Sequence, residues 1–261
     1  MRTRSILFMT FLLGCFAVGW AADHVRGDGN LTSKEITVAD YNEIKIDGAI
    51  DFYYEQSDAP AKVEITVDHN LHQYINIEVK DRVLKIGFKG VTVDHYTKFI
   101  VKTNSKWLAA AQFSGNCNFC VNSPLTGDET TIKANGNSLI ELKGTVTLGK
   151  LKLDANGSAN FVVDDVKTDK LELDLDGSGS VRVKKGIAKE GSFSTAGGSD
   201  IHTYGLQVGD LTCKMRGSGL AEVNAINTLN AQIIGSGSIK YKGPAVATTR
   251  VVGKGTIEHE E

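Results

Sequence analysis

This sequence predicts an all-β fold, a β-solenoid (β-helix-like) of about eight rungs of 18–21 residues with a strand-rich N-terminal region. Three observations predict it. A glycine recurs at near-constant spacing through the second half of the chain, apolar residues alternate on both sides of it, and 28 glycines stand against 3 prolines amid many Val, Ile, Leu, Thr and Ser residues. Such a composition suits short strands joined by tight corners, and a fixed period of about 20 residues must be explained before any other feature.

Along the 261 residues, the first element stands outside the fold. MRTRS carries Arg2 and Arg4, an apolar run follows from Ile6 to Trp20, and Ala21-Ala22 ends it. This reads as a signal peptide over 1–21, cut after Ala21. Leu12-Leu13-Gly14-Cys15 offers a competing lipoprotein box. The stretch after Cys15, FAVGWAA, stays hydrophobic, which favours plain export over a lipid anchor. No later run reaches the roughly 20 apolar residues a membrane span requires. Without the two arginines, 27 of the 29 basic residues remain against 31 acidic ones, a formal charge of −4. Nothing in that balance draws nucleic acid.

The second element, residues 31–112, lacks the glycine period but is rich in strand patterns: NEIKIDGAIDFYYEQ, KVEITVD, INIEVKDRVLKIGFK and KFIVKTN. It is expected to cap one end of a rod. IDGAIDF, at 46–52, reads as a degenerate first copy of the glycine-cornered repeat.

The third element, residues 113–258, is the repeat itself: FSGNCNF, ANGNSLI, ANGSANF, LDGSGSV, TAGGSDI, MRGSGLA, IIGSGSI and VVGKGTI. Their glycines, 115, 136, 157, 177, 197, 217, 235 and 253, lie 21, 21, 20, 20, 20, 18 and 18 residues apart. Two places before the glycine the column is mostly apolar, Phe113, Ala134, Ala155, Leu175, Thr195, Met215, Ile233 and Val251; four places after it stand Phe119, Ile140, Phe161, Val181, Ile201, Ala221, Ile239 and Ile257. The columns between are polar. Period-two alternation on both sides predicts two half-buried strands per repeat, with glycine freeing the backbone at the corner. Serial antiparallel hairpins, sandwich-like, are the alternative. The solenoid is preferred because like residues recur in register, as stacked rungs need. The tail, from Lys240-Tyr241-Lys242-Gly243-Pro244 to Glu258-His259-Glu260-Glu261, is expected to discourage end-to-end pairing.

With IKIDGAIDFYYEQ at the start, DHNLHQYINIEVKDRVLKI in the middle and the serial G-S-G motifs ending in GSGSIKYKGPAVATTRVVGKGTIE, residues 35–258 resemble the family described as putative auto-transporter adhesin, head GIN domain. The resemblance implies an exported β-helical protein and brings no catalytic or ligand residues. Asn116-Cys117, Asn137-Ser138 and Ser158-Ala159 depart from the family's Ser-Gly at the early corners.

Candidate chemistry is sparse. Cys117 and Cys120 have C-x-x-C spacing, but a structural zinc site needs four ligands and no second pair stands nearby. They read as free cysteines, with a strained local disulfide as the alternative, Cys120 in an outward column, and Cys213 reads as core. Asp68, His69 and His72 could share one face of a helix and hold a metal; the commoner reading is a polar single-turn connection with Leu71, Tyr74 and Ile75 docking inward. His202 reads as surface, without an acidic neighbour. Gly197-Gly198-Ser199-Asp200 imitates a calcium loop but lacks the aspartate ladder such loops need. Asp154, Asp164, Asp165, Asp169, Asp174 and Asp176 cluster in sequence, yet interleaved lysines favour a solvated face over converging carboxylates. Hydrolase and phosphate-loop signatures are missing.

The expectation is therefore a non-catalytic binding or structural module of the cell envelope, without cofactor or metal. It would reside in the periplasm, at the outer membrane or on the cell surface, and contact glycan or an envelope protein through the flat Ser, Thr, Asn and Asp columns. A polysaccharide-active enzyme and a structural or lipid-carrying envelope protein are the competing readings.

Overall fold

The structure, a computed structural model, describes residues 23–261; the expected signal peptide, with its cleavage site and Cys15, lies outside them. The described chain enters through β1 (Asp23–Arg26) and β2 (Leu31–Thr37) and makes a first coil with β3 (Glu43–Gly48) and β4 (Asp51–Gln56). It then leaves the stack through β5 (Lys62–Asp68), a 3₁₀ turn at His69–Tyr74, β6 (Ile75–Lys80), β7 (Val83–Phe88), β8 (Val91–His95) and β9 (Ile100–Ser105). A second coil, β10 (Ala110–Gly115) and β11 (Asn118–Val121), returns to stack on the first. From there the winding is continuous: β12 (Leu125–Gly136), β13 (Leu139–Gly157), β14 (Asn160–Gly177), β15 (Ser180–Val183), β16 (Gly186–Gly197), β17 (Asp200–Gly217), β18 (Leu220–Gly235), β19 (Ser238–Lys242), β20 (Val246–Gly253) and β21 (Thr256–His259).

Every ladder between repeats is parallel, and each glycine pairs with the glycine of the next coil, from Gly48 through Gly115 and Gly136 up to Gly253. That excludes serial hairpins, which would pair strands within a repeat. Among the described residues, antiparallel pairing is confined to β2 with β5, β5 with β9 and β6 with β7, in the N-terminal region. The segment IDGAIDF is the corner of the first coil. Its distance in sequence from Gly115 reflects the excursion through β5 to β9, not a break in the stack.

Why glycine is needed is visible at Gly136. Its φ is +92°, and a Cβ there would stand 2.7 Å from the carbonyl oxygen of Gly115 on the coil below. Side chains rarely adopt such a φ, and none fits against that backbone.

Each full coil has three runs, not the two strands expected. Between β13 and β14 the register holds over Leu139–Leu142, breaks, resumes over Thr145–Leu148, and continues over Lys150–Gly157. The middle run carries Val146 and Leu148 into the core. Inside, like columns stack as expected, with Leu171, Leu173 and Leu175 above Leu151, Leu153 and Ala155. Near the capped end Phe52, Phe113 and Phe119 form an aromatic plug, the last two rings 4.5 Å apart. Burying a large apolar side chain contributes about 1.5–3 kcal/mol each, so the continuous column is the main source of stability.

The N-terminal strands extend both walls past the first coil. β9 lies beside β4 and β7 beside β3, both parallel; β5 and then β2 continue the first wall and β6 the second, antiparallel. The buried Asp68 carboxylate ties this cap together, accepting hydrogen bonds from the backbone N–H of Gly29 (2.8 Å) and of Thr97 (2.7 Å) and from the Thr97 hydroxyl (2.8 Å). Among the described residues no helix is long and apolar enough to cross a membrane.

Candidate functional site

Where the cap meets the rod, four segments enclose a groove of about 670 Å³: the end of β4, the 57–64 stretch, β9, and the 122–124 corner of the second coil. Both walls are held. Asn104 on β9 accepts from the Lys62 N–H (3.2 Å) and donates to the carbonyls of Ala59 (3.1 Å) and Pro60 (3.2 Å), fixing the first loop. Gln56 fixes the second: its N–H donates to the Ser123 hydroxyl (2.9 Å), its side-chain oxygen accepts from the Thr126 N–H (2.7 Å), and its amide donates to the Thr126 carbonyl (3.0 Å). Beneath, Thr103 donates to the Lys62 carbonyl (2.7 Å), and Tyr54 shares a hydrogen bond with the Ser105 hydroxyl (2.9 Å). A groove whose loops are tied at both ends is preformed.

The outward column of this face reads Glu64, Lys102, Tyr53, Cys120, Glu141 across five adjacent strands. Tyr53 presents its ring at the groove, 39% exposed, and Glu55, Asn122 and Ser123 supply carboxylate, amide and hydroxyl groups around it. Lys62 pairs with Glu35 (2.8 Å) and Lys102 with Glu64 (3.1 Å) at the rim. An aromatic face ringed by hydrogen-bonding groups can stack on an apolar sugar face and bond its hydroxyls.

A second concavity, about 620 Å³, lies on the long face near the other end, where Ser192, Thr212, Asn230 and Thr248 form an in-register polar row. It belongs to the flat columns expected to make contact, and in its lining the Thr228 hydroxyl donates to the Asp210 carboxylate (2.6 Å).

The remaining candidates lie elsewhere. Cys117, Cys120 and Cys213 are free and buried. Burial pushes the Cys117 thiol up to about 11 and the Cys213 thiol up to about 12. Cys213 is core, as expected. Cys120 stands in the outward column, as expected, but does not face water: it is only 6% exposed, between Tyr53 and Glu141 on the adjacent strands, and its thiol donates to the Asn122 side-chain oxygen (3.2 Å). Asp68, His69 and His72 do not converge. The carboxylate faces Gly29 and Thr97, while His72 Nε2 contacts the Thr32 carbonyl at 3.0 Å; the 3₁₀ turn buries Leu71 and half-buries Tyr74 and Ile75.

His202 is also corrected. It is half-buried with Nδ1 2.6 Å from the Glu222 carboxylate, a neighbour in the same column one coil on. Asp200 accepts from the Leu220 N–H (2.8 Å), which ties it to the next coil.

The six aspartates are dispersed around the coil. Asp164 pairs with Lys184 (2.7 Å) and Asp165 with Lys185 (3.6 Å) at one corner, and Asp169 pairs with Lys189 (2.6 Å) at the next. On the long face Asp154 meets Lys133 (3.8 Å) and stands beside Asp174. Sequence reasoning missed the groove and Tyr53, and no single segment signals it, since its lining comes from four.

Comparison with known proteins places the chain in a family. The family model described as putative auto-transporter adhesin, head GIN domain, matches residues 40–143 and 130–245. A solved putative adhesin from Parabacteroides distasonis is 65% identical over 91% of this chain and all of its own, with a TM-score of 0.90. A putative adhesin from Parabacteroides merdae is 52% identical over 92% of this chain and all of its own, at 0.91. A putative lipid binding protein from Parabacteroides distasonis is 33% identical over 92% of this chain and all of its own, at 0.87. No curated protein matches. On the extent of the family match and the identity of these solved relatives, this chain belongs to the putative auto-transporter adhesin, head GIN domain, family.

Proposed function

We propose that this chain is an exported, non-catalytic binding module of the cell envelope that takes a segment of glycan into the groove between cap and rod. The observation that carries the reading is the pinned groove with Tyr53 at its mouth. Export rests on the apolar leader at 1–21 and agrees with the family's description. A non-catalytic role is supported by the aspartates, which are dispersed among lysines instead of converging on a substrate.

The test is a broad glycan panel probed with residues 22–261 and with Tyr53→Ala. The reading predicts that the chain retains a defined set of glycans and that Tyr53→Ala loses them while folding normally. Failure to retain any glycan, or an unchanged set with the variant, contradicts it. Turnover of a polysaccharide abolished by Asp174→Asn would replace it with the enzyme reading.

A second reading, lipid carriage, is favoured by one observation. A crevice of about 320 Å³ between the edge strands β2 and β6 is lined by Ile36, Ile65, Ile75 and Ile77 together with Lys34, His72 and Asn76, and one relative is described as a putative lipid binding protein. Lipid retained in native mass spectrometry, and lost in Ile36→Asp, would support it.

A further inference from the structure

We propose that two copies of this chain join tail to tail through the outer edge of β20, forming a closed two-fold dimer. Among the described residues β20 pairs only with β18 and β21 only with β19, so the outer backbone edges of this coil are open. The core column is open as well. Two places before the glycine, Leu175, Met215 and Ile233 are at most 2% exposed, whereas Val251 is 41% exposed. On the outward face Val246 and Val252 are exposed too.

Natural edge strands are usually blunted by charge, proline or a covering element. β20 has one charge, Arg250, in eight residues. The protection expected from the tail does not reach it. Pro244 precedes the strand, and Glu260 is engaged by Tyr204 (2.7 Å) and Lys240 (2.9 Å) on the coils below. At the opposite end the cap covers the core column, and its own edge strands are β2 and β6.

The sequence of β20 identifies the occupant as a second copy. Val246-Ala247-Thr248-Thr249-Arg250-Val251-Val252 has the same polarity read in either direction. Ala247, Thr249 and Val251 continue the inward columns of Leu229, Ala231 and Ile233, and the residues between them point outward. In an antiparallel pair centred on Thr249, Val246 faces Val252, Ala247 faces Val251, Thr248 faces Arg250, and Thr249 faces its own copy. Apolar side chains then meet on both faces of the sheet, and neither arginine opposes the other. Moving the centre to Arg250 sets two like charges opposite each other, and moving it to Thr248 leaves Val251 and Val252 unpaired. Self-complementarity of this kind is what an isologous contact requires.

A final coil of 18 residues, at about 3.3 Å each, encloses an end face of roughly 550 Å² with its side chains, or about 1,100 Å² over two copies. That is just below the usual range for stable specific interfaces, so the dimer should be weak and concentration-dependent.

Sedimentation velocity on residues 22–261, from roughly 1 to 300 μM, should show monomer passing to dimer and nothing larger. Val246→Lys with Val252→Lys, at exposed positions that leave the fold intact by circular dichroism, should weaken the dimer at least about tenfold, because the introduced charges face each other. Mild oxidation should link Thr249→Cys into a covalent dimer but not Arg250→Cys, since only residues directly opposite come within disulfide reach. The three native thiols are buried and do not compete. A monomer across the whole range, an open-ended series of larger species, or linkage through Arg250→Cys in place of Thr249→Cys overturns the proposal.

Discussion

Replacing Gly136 by alanine should destabilise the rod far more than replacing Gly198, only a few coils away. At Gly136 the backbone has φ +92°, and the new Cβ meets the Gly115 carbonyl oxygen at 2.7 Å and its nitrogen at 3.3 Å. Holding a non-glycine residue in that region costs about 1–3 kcal/mol. The carbonyl that must move also accepts the Asn137 N–H at 3.0 Å, and weakening this ladder bond adds about 1 kcal/mol. The expected loss is thus about 2–4 kcal/mol.

At Gly198 the nearest atom to a new Cβ is the Ser218 hydroxyl at 3.9 Å, and the backbone is not left-handed. Alanine there should be neutral or stabilise by up to about 1 kcal/mol, through the unfolded chain. Urea unfolding followed by circular dichroism is the assay. With a slope near 2 kcal/mol per molar, the Gly136→Ala midpoint should fall by roughly 1–2 M while Gly198→Ala stays within about 0.5 M. Equal midpoints for the two variants would refute the claim that the glycine ladder is a steric requirement of stacking.

The cap and the groove carry further expectations. Burial alone would raise the Asp68 carboxyl, but the hydrogen bonds from Thr97 and Gly29 outweigh it and hold the group below its ordinary 3.8. The native value is thus below the unfolded one, so its stabilisation is complete above the ordinary aspartate range and is lost as pH falls through the native value. Asp68→Ala, which strands two N–H groups, should cost about 3 kcal/mol at pH 7 and flatten the acid limb of the stability profile below about pH 4; an unchanged acid limb would count against the clamp. Wild-type thiols should react slowly with an aromatic disulfide reagent in the native state, and Tyr53→Ala should expose one of them, Cys120; three equally slow thiols in the variant would mean that Tyr53 does not shield it. Gln56→Ala should cost about 0.5–1.5 kcal/mol by removing its hydrogen bonds to Thr126, and should speed hydrogen exchange around residues 122–126 if it pins that wall.

The rod was legible because its determinants are local and repeated. Gly115 to Gly253 and the apolar columns beside them set corner, period and register in the sequence itself. The first coil was also readable in IDGAIDF, since the columns around Gly48 match those of later copies. The cap was not, because the sides on which β5, β7 and β9 pair depend on contacts far apart in sequence, and alternation alone suits parallel and antiparallel neighbours equally. The third run of each coil escaped because Val146 and Leu148 continue the phase of Ile140 and Leu142, so no break marks the corner at Gly144. The partnership of His202 with Glu222 could have been read from the shared column. The burial of Cys120 could not, because one of its neighbours across the sheet is Tyr53, which lies before the excursion through the cap.

The most direct test of the central claim is calorimetric titration of the best-retained panel glycan into wild type, Tyr53→Ala and Asp174→Asn. The groove account predicts that Tyr53→Ala weakens binding about tenfold or more, from the loss of roughly 1.4 kcal/mol or more of stacking, while Asp174→Asn, on the long face, leaves it unchanged. Weakening by Asp174→Asn with Tyr53→Ala unaffected would contradict the account and move the contact to the flat columns of the rod.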